Sequence, residues 1–340
     1  MKVLILLALV HLSLGGLFKV HVREEPIEIT DFTDSTDSEE MDNDDELTEE
    51  EFEAQFGEEP VDDPDEMARR AETLKEEEEV VKERDIEYLD GEIEWYEKIG
   101  PYSDLPEDEF EAERTGSKVP RYARGLINPE PGQEPVDAAS ERYFDTFRYS
   151  RGSAPSSYSS VDLGYTTEVK NQKQCGSCVA FSNMAAIEVC YKKLTGAEGD
   201  YSEQQLVDCG YGKNGASGCN GAWTYSYLQT VADSGLGLGH ESNYPYKSAL
   251  GTCSSVEAYN QGAKVSSAYF TYDGDEDLLA KLVAEHGAAV TSVRAAGEMM
   301  NYAGGVFAGC TSSNTDHAVA VVGYGTSDKG EDYWLIKNSW

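Results

Sequence analysis

The sequence predicts an α+β chain, in which a charge-rich helical part precedes a domain with a helical first half and a β-rich second half. Three observations carry this. Charged and apolar residues between 66 and 85 recur at helical steps, residues 178–194 read as a helix behind a Gly-Ser turn, and two apolar β-rich runs, 317–324 and 332–337, follow a helical 275–286.

Taken in order, residues 1–16 read as a secretory signal: Lys2, an apolar run from Val3 to Val10, then the small residues Ser13, Gly15 and Gly16. That run is shorter than the ~20 apolar residues that span a bilayer, and no later stretch is long enough, so no membrane association is expected after signal removal. Residues 17–46 are dominated by Glu, Asp, Ser and Thr and are expected to stay disordered, because like charges repel and little apolar area offsets chain entropy. In 47–112, Glu66, Arg70, Leu74, Glu77, Val81 and Asp85 follow steps of four, four, three, four and four, along one side of a helix. Residues 113–153, with several Pro, Gly, Arg and Ser, read as an exposed linker open to proteolysis.

From 154 onward the helix after Cys178 places Ala180, Met184, Ile187 and Tyr191 on one face, with Ser177 as N-cap and Gly196 as C-cap. Ser202-Glu203-Gln204-Gln205 is a capping-box pattern opening a short helix that ends at Cys209. Strands are expected around 288–294, 317–324 and 332–337.

The net charge is −38, and residues 154–340 hold 20 acidic and 11 basic side chains, so −29 of it lies in 1–153. A nucleic-acid partner is disfavoured, because no basic footprint for phosphate is visible.

Cys178 is the candidate nucleophile. A thiol at a helix mouth meets backbone N–H groups without intrahelical partners and the positive end of the macrodipole, which favour thiolate. Cys175 and Cys178 form a Cys-x-x-Cys pair, but neither the βαβ context of a redox dithiol nor two further zinc ligands at matching spacing is present. Structural disulfides remain the competing reading, although seven cysteines leave at least one over. A Cys nucleophile needs an imidazole to take its proton and a group to orient that imidazole. His317 and Asn338 stand 139 and 160 positions downstream of Cys178, each bordering a β-rich run.

The stretch from Gln172 to Ser182, with its distant His and Asn, resembles the papain family of cysteine proteases, on its cathepsin L-like side. The resemblance implies a papain-like two-lobe fold, a helical left lobe and a β-barrel-like right lobe, preceded by a mainly helical inhibitory propeptide. It implies Cys178 as nucleophile, His317 as base and then acid, Asn338 as the orienting group, and Gln172 as oxyanion donor beside the Cys178 backbone N–H. Peptide would bind along Gly221, Ala222, Trp223, Thr224, Asp316, Ala318 and Trp340, with an apolar P2 side chain near Ala222, Trp223, Thr224 and Ala318. Disulfides Cys175–Cys219 and Cys209–Cys253 follow from the same resemblance, as do the absence of cofactor and metal and a monomeric state. The Glu66 to Asp85 series and the run from Tyr102 to Phe110 are similar to the propeptide signatures of that family. Residues 154–340 would form the peptidase domain, C-terminally truncated relative to the family, with Cys310 unpaired.

Only 34 positions separate Cys219 from Cys253, too few for the insertion that closes one end of the cleft in cathepsin B-like enzymes, which favours an endopeptidase acting on protein or peptide substrates. Secretory entry implies an extracellular or lysosomal site. Val179 stands where the family has Trp, and Ala222 replaces a glycine whose added methyl could crowd an approaching backbone. These departures motivate the alternative of a catalytically impaired, protease-like binding or inhibitory protein. Acid-triggered release of the propeptide is a further expectation, since its carboxylates lose charge near their ordinary pKa of about 4.

Overall fold

The computed structural model of the chain describes residues 7–12, 63–118, 145, 153–235, 237–254, 263–271, 275–297, 299–308 and 315–340. The acidic segment 17–46, residues 47–62, nearly all of the expected linker and Cys310 lie outside the described residues. In chain order the elements are β1 (Leu7–Leu12), α1 (Pro64–Leu89), β2 (Trp95–Glu97), α2 (Glu107–Arg114), β3 (Tyr158–Ser159), α3 (Cys178–Thr195), α4 (Glu203–Gly210), α5 (Ser226–Ser234), β4 (Val265–Thr271), α6 (Glu276–His286), β5 (Ala289–Val293), β6 (Tyr302–Gly305), β7 (His317–Thr326) and β8 (Asp332–Lys337).

An antiparallel sheet runs β3-β7-β5-β1-β4, with β8 also pairing β7. One face of the β7 region packs with α3, α4 and α5 in the largest core, which includes Met184, Ile187, Leu206, Tyr227, Val290 and Ala320. The other carries α6, whose Leu278, Leu279, Leu282 and Val283 meet Ala289 and Val321. Helix α3 is buried all round from Cys178 to Cys190, which corrects the single apolar face read from the sequence: sheet on one side and helices on the other leave no solvent face until Tyr191. Gly196 ends it in the left-handed region at φ 72°, where a side chain would be strained.

Strand β1 falls within the expected signal. Part of the apolar run read as a secretory signal lies inside the sheet, pairing along its length with β4 and at Ala8 with Val290 of β5. A short apolar run free of Gly and Pro suits an interior strand as well as it suits a signal core.

Helix α1 starts where Asp63 accepts from the Asp65 N–H and Pro64 takes the first turn. Leu74 and Val81, from the stepped series, are its buried residues. Strand β2 then pairs antiparallel with β6, so part of the region before residue 118 adds a strand to the C-terminal domain. Tyr102, Leu105 and Phe110 pack on Ala296 and Met300, with Trp340 against the cluster.

Candidate active site

Cys178 opens α3 and is fully buried. The turn before it is fixed by the Cys175–Cys219 disulfide and by Gly176 N–H donating to the Cys219 carbonyl. Ser177 holds the N-cap position without capping. With φ −99° and ψ 13° it is outside the extended region, and its hydroxyl pairs with Tyr246 Oη at 2.6 Å instead. Cys209 bonds Cys253, and α4 behind it begins with Ser202 Oγ accepting from the Gln205 N–H. The reciprocal half of that capping box is absent: Gln205 Oε1 accepts from Gly239, and the Ser202 N–H donates to the Gly239 carbonyl.

His317 is the first residue of β7, which packs directly on α3, and it too is fully buried. Its Nε2 lies 2.7 Å from Asn338 Oδ1, and the same oxygen accepts from the Ser339 N–H. An oxygen that accepts from both fixes the proton on Nε2 and leaves Nδ1 as the basic nitrogen, which is buried and otherwise unbonded. The thiol lies beside the backbone N–H groups of Val179 and of Ala318, the residue after His317.

In this closed state burial opposes the expected thiolate. Burial pushes the Cys178 thiol up to about 12, outweighing the backbone N–H groups that favour the anion. Burial likewise holds His317 down to about 4 against the opposing effect of Asn338. The helix mouth alone does not ionise a sulfur sealed from water.

What seals it is the chain itself. Gln172 Nε2 donates to the carbonyl of Arg114 at 2.9 Å and to that of Cys175 at 3.0 Å, while its Oε1 accepts from Ser339 Oγ at 2.7 Å. The Trp340 indole N–H reaches the same Arg114 carbonyl at 3.3 Å, and its ring stacks on His317 at 4.5 Å between centroids. Past Arg114 the segment is held from both sides. Asp316 O accepts from the N–H groups of Gly116 and Ser117, Ala222 N–H donates to Gly116 O at 2.8 Å, and Lys118 N–H donates to Ala222 O at 2.9 Å.

The expected crowding at Ala222 does not occur, because its backbone pairs while its methyl is buried in the core. The tight approach is instead between Gly116, Gly176 and Gly221, where a Cβ on Gly116 would run into the Gly176 carbonyl. Trp223 packs edge-on against Tyr225 and Phe270, and Ala318 is in the core. The expected apolar pocket carries hydroxyls: Thr224 Oγ1 and Ser292 Oγ lie 2.8 Å apart, and Ser117 Oγ is 2.6 Å from Ser292.

Sequence reading missed the anchors of this cover. Arg294 pairs with Asp316 at 2.5 Å, Glu107 at 2.6 Å and Glu111 at 3.4 Å. Asn301 donates to Glu77 at 2.6 Å and accepts from Ser103 at 2.6 Å. Arg70, from the stepped series, bonds both Glu66 and Asp104 at 3.0 Å. Glu77 was on the page as a member of a periodic pattern, but its partner lies 224 positions away.

Beneath Asn338 a cavity of about 10 Å³ is lined by Lys170, Glu188, Glu203 and Lys337, among others. Lys170 Nζ reaches Glu188 at 3.1 Å, Glu203 at 2.9 Å and Asp200 at 2.8 Å. Burial raises Glu203 to about 8 despite Lys170. Among the described residues no group of three or more His, Cys, Asp or Glu is placed to hold a metal ion, and no helix is long and apolar enough to cross a membrane.

Residues 154–340 match the papain family cysteine protease description. The chain is 36% identical over 246 residues to a vignain of Phaseolus vulgaris, covering 72% of this chain and 63% of that protein, so it spans less than two thirds of that relative. It is 34% identical over 295 residues to digestive cysteine proteinase 1 of Homarus americanus, covering 86% and 84%. Among solved structures, the digestive procathepsin L2 proteinase of Tenebrio molitor larval midgut superimposes with a TM-score of 0.72 at 30% identity, covering 86% of this chain and 88% of that one.

Proposed function

From a chain that belongs to the papain family of cysteine proteases, we propose a cysteine endopeptidase made as a zymogen, which hydrolyses protein or peptide substrates through a Cys178 thioester. The observation that carries it is the Arg114 carbonyl held by Gln172 Nε2 and by the indole of Trp340, whose ring stacks on the buried His317. A peptide carbonyl already occupies the place where a reacting one would be polarised.

Once the cover leaves, His317 Nδ1 takes the thiol proton and the sulfur attacks the substrate carbonyl carbon. Gln172 Nε2 and the Cys178 backbone N–H hold the oxyanion, neutral donors whose worth lies in being fixed beforehand. Collapse expels the amine, which takes the proton from His317, and leaves the thioester. Water, losing its proton to His317, attacks the thioester; the carboxylic acid departs and the proton returns to sulfur. Asn338 keeps the ring in the tautomer that makes Nδ1 the base.

Residues 154–340 serve as the peptidase domain and 47–112 as the intramolecular inhibitor, extended by residues 114–118, which are bound in the site and buried as far as Ser117, not exposed as the linker reading expected; the remainder of 113–153 is the linker cut on activation. Residues 1–16 serve as a secretory signal, whose removal takes strand β1 out of its place beside β4 and β5, with action outside the cell or in the lysosome and as a monomer. Gly221, Ala222, Thr224, Asp316 and Trp340 are the substrate-facing residues, supported by their contacts to 114–118 or the approach of Gly116. The test is Cys178→Ser in the full-length, processed protein. Loss of peptide hydrolysis and of labelling by a thiol-directed peptide epoxide is expected, and undiminished activity would overturn the assignment.

A further inference from the structure

Between Thr224 and Ser292 the closed structure presents a small polar socket filled by one side chain of the cover. Thr224 and Ser292 are 1% and 0% exposed, and Ser117 between them is 6% exposed. Ser117 Oγ lies 2.6 Å from Ser292 Oγ and 3.5 Å from Thr224 Oγ1, and the last two are 2.8 Å apart. Three hydroxyls in a buried triangle can each donate once and accept once. Remove the third, and the Thr224–Ser292 pair is left with one O–H that has no acceptor in this triangle.

We propose that this socket is the side-chain specificity pocket of the enzyme and that it selects a small hydroxyl-bearing residue, serine foremost, at the substrate position whose flanking backbone pairs with Ala222. The inference rests on the peptidase reading and departs from the apolar preference that the family resemblance implies. Register supports it. The N–H and carbonyl of Ala222 bond the residues on either side of Ser117 in a parallel pairing, so a peptide strand laid in the same direction brings its central side chain to the same hydroxyls. Selectivity follows from asymmetry. A hydroxyl completes the triangle, whereas an apolar side chain excludes water and leaves a buried donor unpaired, a situation that binding sites discriminate against strongly. Ser117 is enclosed at 6% exposure, so a side chain of that size is accommodated there. Ser292 lies in β5, whose residues from Ala289 to Ser292 are all buried, so the socket wall is part of the sheet core.

Two measurements test the proposal independently of each other. With the processed protein and fluorogenic peptides differing only at that position, kcat/KM for serine should exceed that for alanine and for leucine by roughly tenfold or more. In Ser292→Ala, the serine-to-alanine ratio should fall toward one. Leucine equal to or better than serine would overturn the socket. The second measurement needs no peptidase activity: labelling of Cys178 by a small disulfide reagent in the full-length chain, for wild type, Ser117→Ala, Ser292→Ala and the double variant. Each single change should speed labelling, and the double variant should label no faster than the faster single one, because both break one contact. Multiplicative rates would overturn the socket. A coupled cycle together with no hydrolysis of any peptide would sustain the socket and defeat the peptidase reading.

Discussion

The carbonyl oxygen of Arg114 accepts a 2.9 Å hydrogen bond from Gln172 Nε2, so the chain seats one of its own peptide carbonyls on the proposed oxyanion donor. The blocking peptide is held on both sides by backbone, Asp316 O on one and Ala222 on the other. Holding by backbone accounts for how a segment with little side-chain bulk, Thr115 to Lys118, can close the site. The larger apolar area sits further back, where Tyr102, Leu105 and Phe110 pack on Ala296, Met300 and Trp340.

Gln172→Ala in the processed enzyme is expected to lower kcat on the order of 100-fold with little change in KM, since the donor acts on charge developed in the transition state. Steady-state kinetics on one peptide substrate check this. A change confined to KM would assign Gln172 to ground-state binding.

A thiol with a pKa of about 12 is roughly one part in 10^5 thiolate at pH 7, so Cys178 of the full-length chain should resist iodoacetamide. His317, held down to about 4, stays neutral through the same range and supplies no positive charge. After removal of residues up to 153, alkylation at pH 6 should rise on the order of 100-fold as water and the imidazole reach the sulfur. Equal rates before and after processing would contradict the sealed, neutral pair.

Gly116→Ala places a methyl against the Gly176 carbonyl, with Gly221 closing the other side, and neither backbone can yield cheaply. Overpacking of this kind costs about 1–3 kcal/mol, so the segment should open roughly 5- to 150-fold more often. Leak activity of the unprocessed chain on a small substrate reads this directly. An unchanged leak would mean that residues 115–118 are not what limits access.

How far this site could be read in advance differed between its parts for a physical reason. Cys178, His317, Asn338 and Gln172 stand out because each sits in a local pattern, a helix mouth or the border of an apolar strand run. The roles of Arg114, Ser117 and Ser292 were invisible, because each depends on a pairing with a residue far along the chain: Ser117 meets Ser292 across 175 positions. No periodicity marks such a hydroxyl, as β5 is buried on both faces from Ala289 to Ser292 and has no alternation to read. The burial that raises the Cys178 thiol was invisible for the same reason, since the helix mouth is local and the burial is not. Strand β1 shows the limit of composition, which cannot separate an interior strand from a signal core.

Lys170→Met should destabilise the fold by about 3 kcal/mol, the low end for breaking a buried pair because Lys170 is partly exposed, as it leaves Glu188 and Glu203 buried without their cation. Urea unfolding measures it. Adding Glu203→Gln should recover part of the loss, because it removes one of the two carboxylates left without a cation. No recovery in the double variant would place the cost elsewhere.

Acid release of the cover, expected from its many carboxylates, meets an opposing group in Glu77. Burial raises its pKa, with the Asn301 amide lowering it and Glu76 and Glu107 raising it further. A carboxyl whose docked pKa lies above its released value binds its proton more tightly when docked. Its contribution to docking is therefore full below the ordinary carboxylate value and is lost as pH rises through the docked one, so acid strengthens this contact. Glu66 runs the other way: hydrogen bonds from Arg69 and Arg70 lower its pKa, and the support it gives α1 is lost as pH falls. Glu77→Gln keeps a carbonyl oxygen for Asn301 and carries no charge at any pH. Release of residues 63–118 from the variant, followed by the fluorescence of a label near α1, should be slower than wild type at pH 7 and equal to it near pH 4. Faster release at pH 7 would reverse the sign assigned to Glu77 and return acid activation to the carboxylates of the cover.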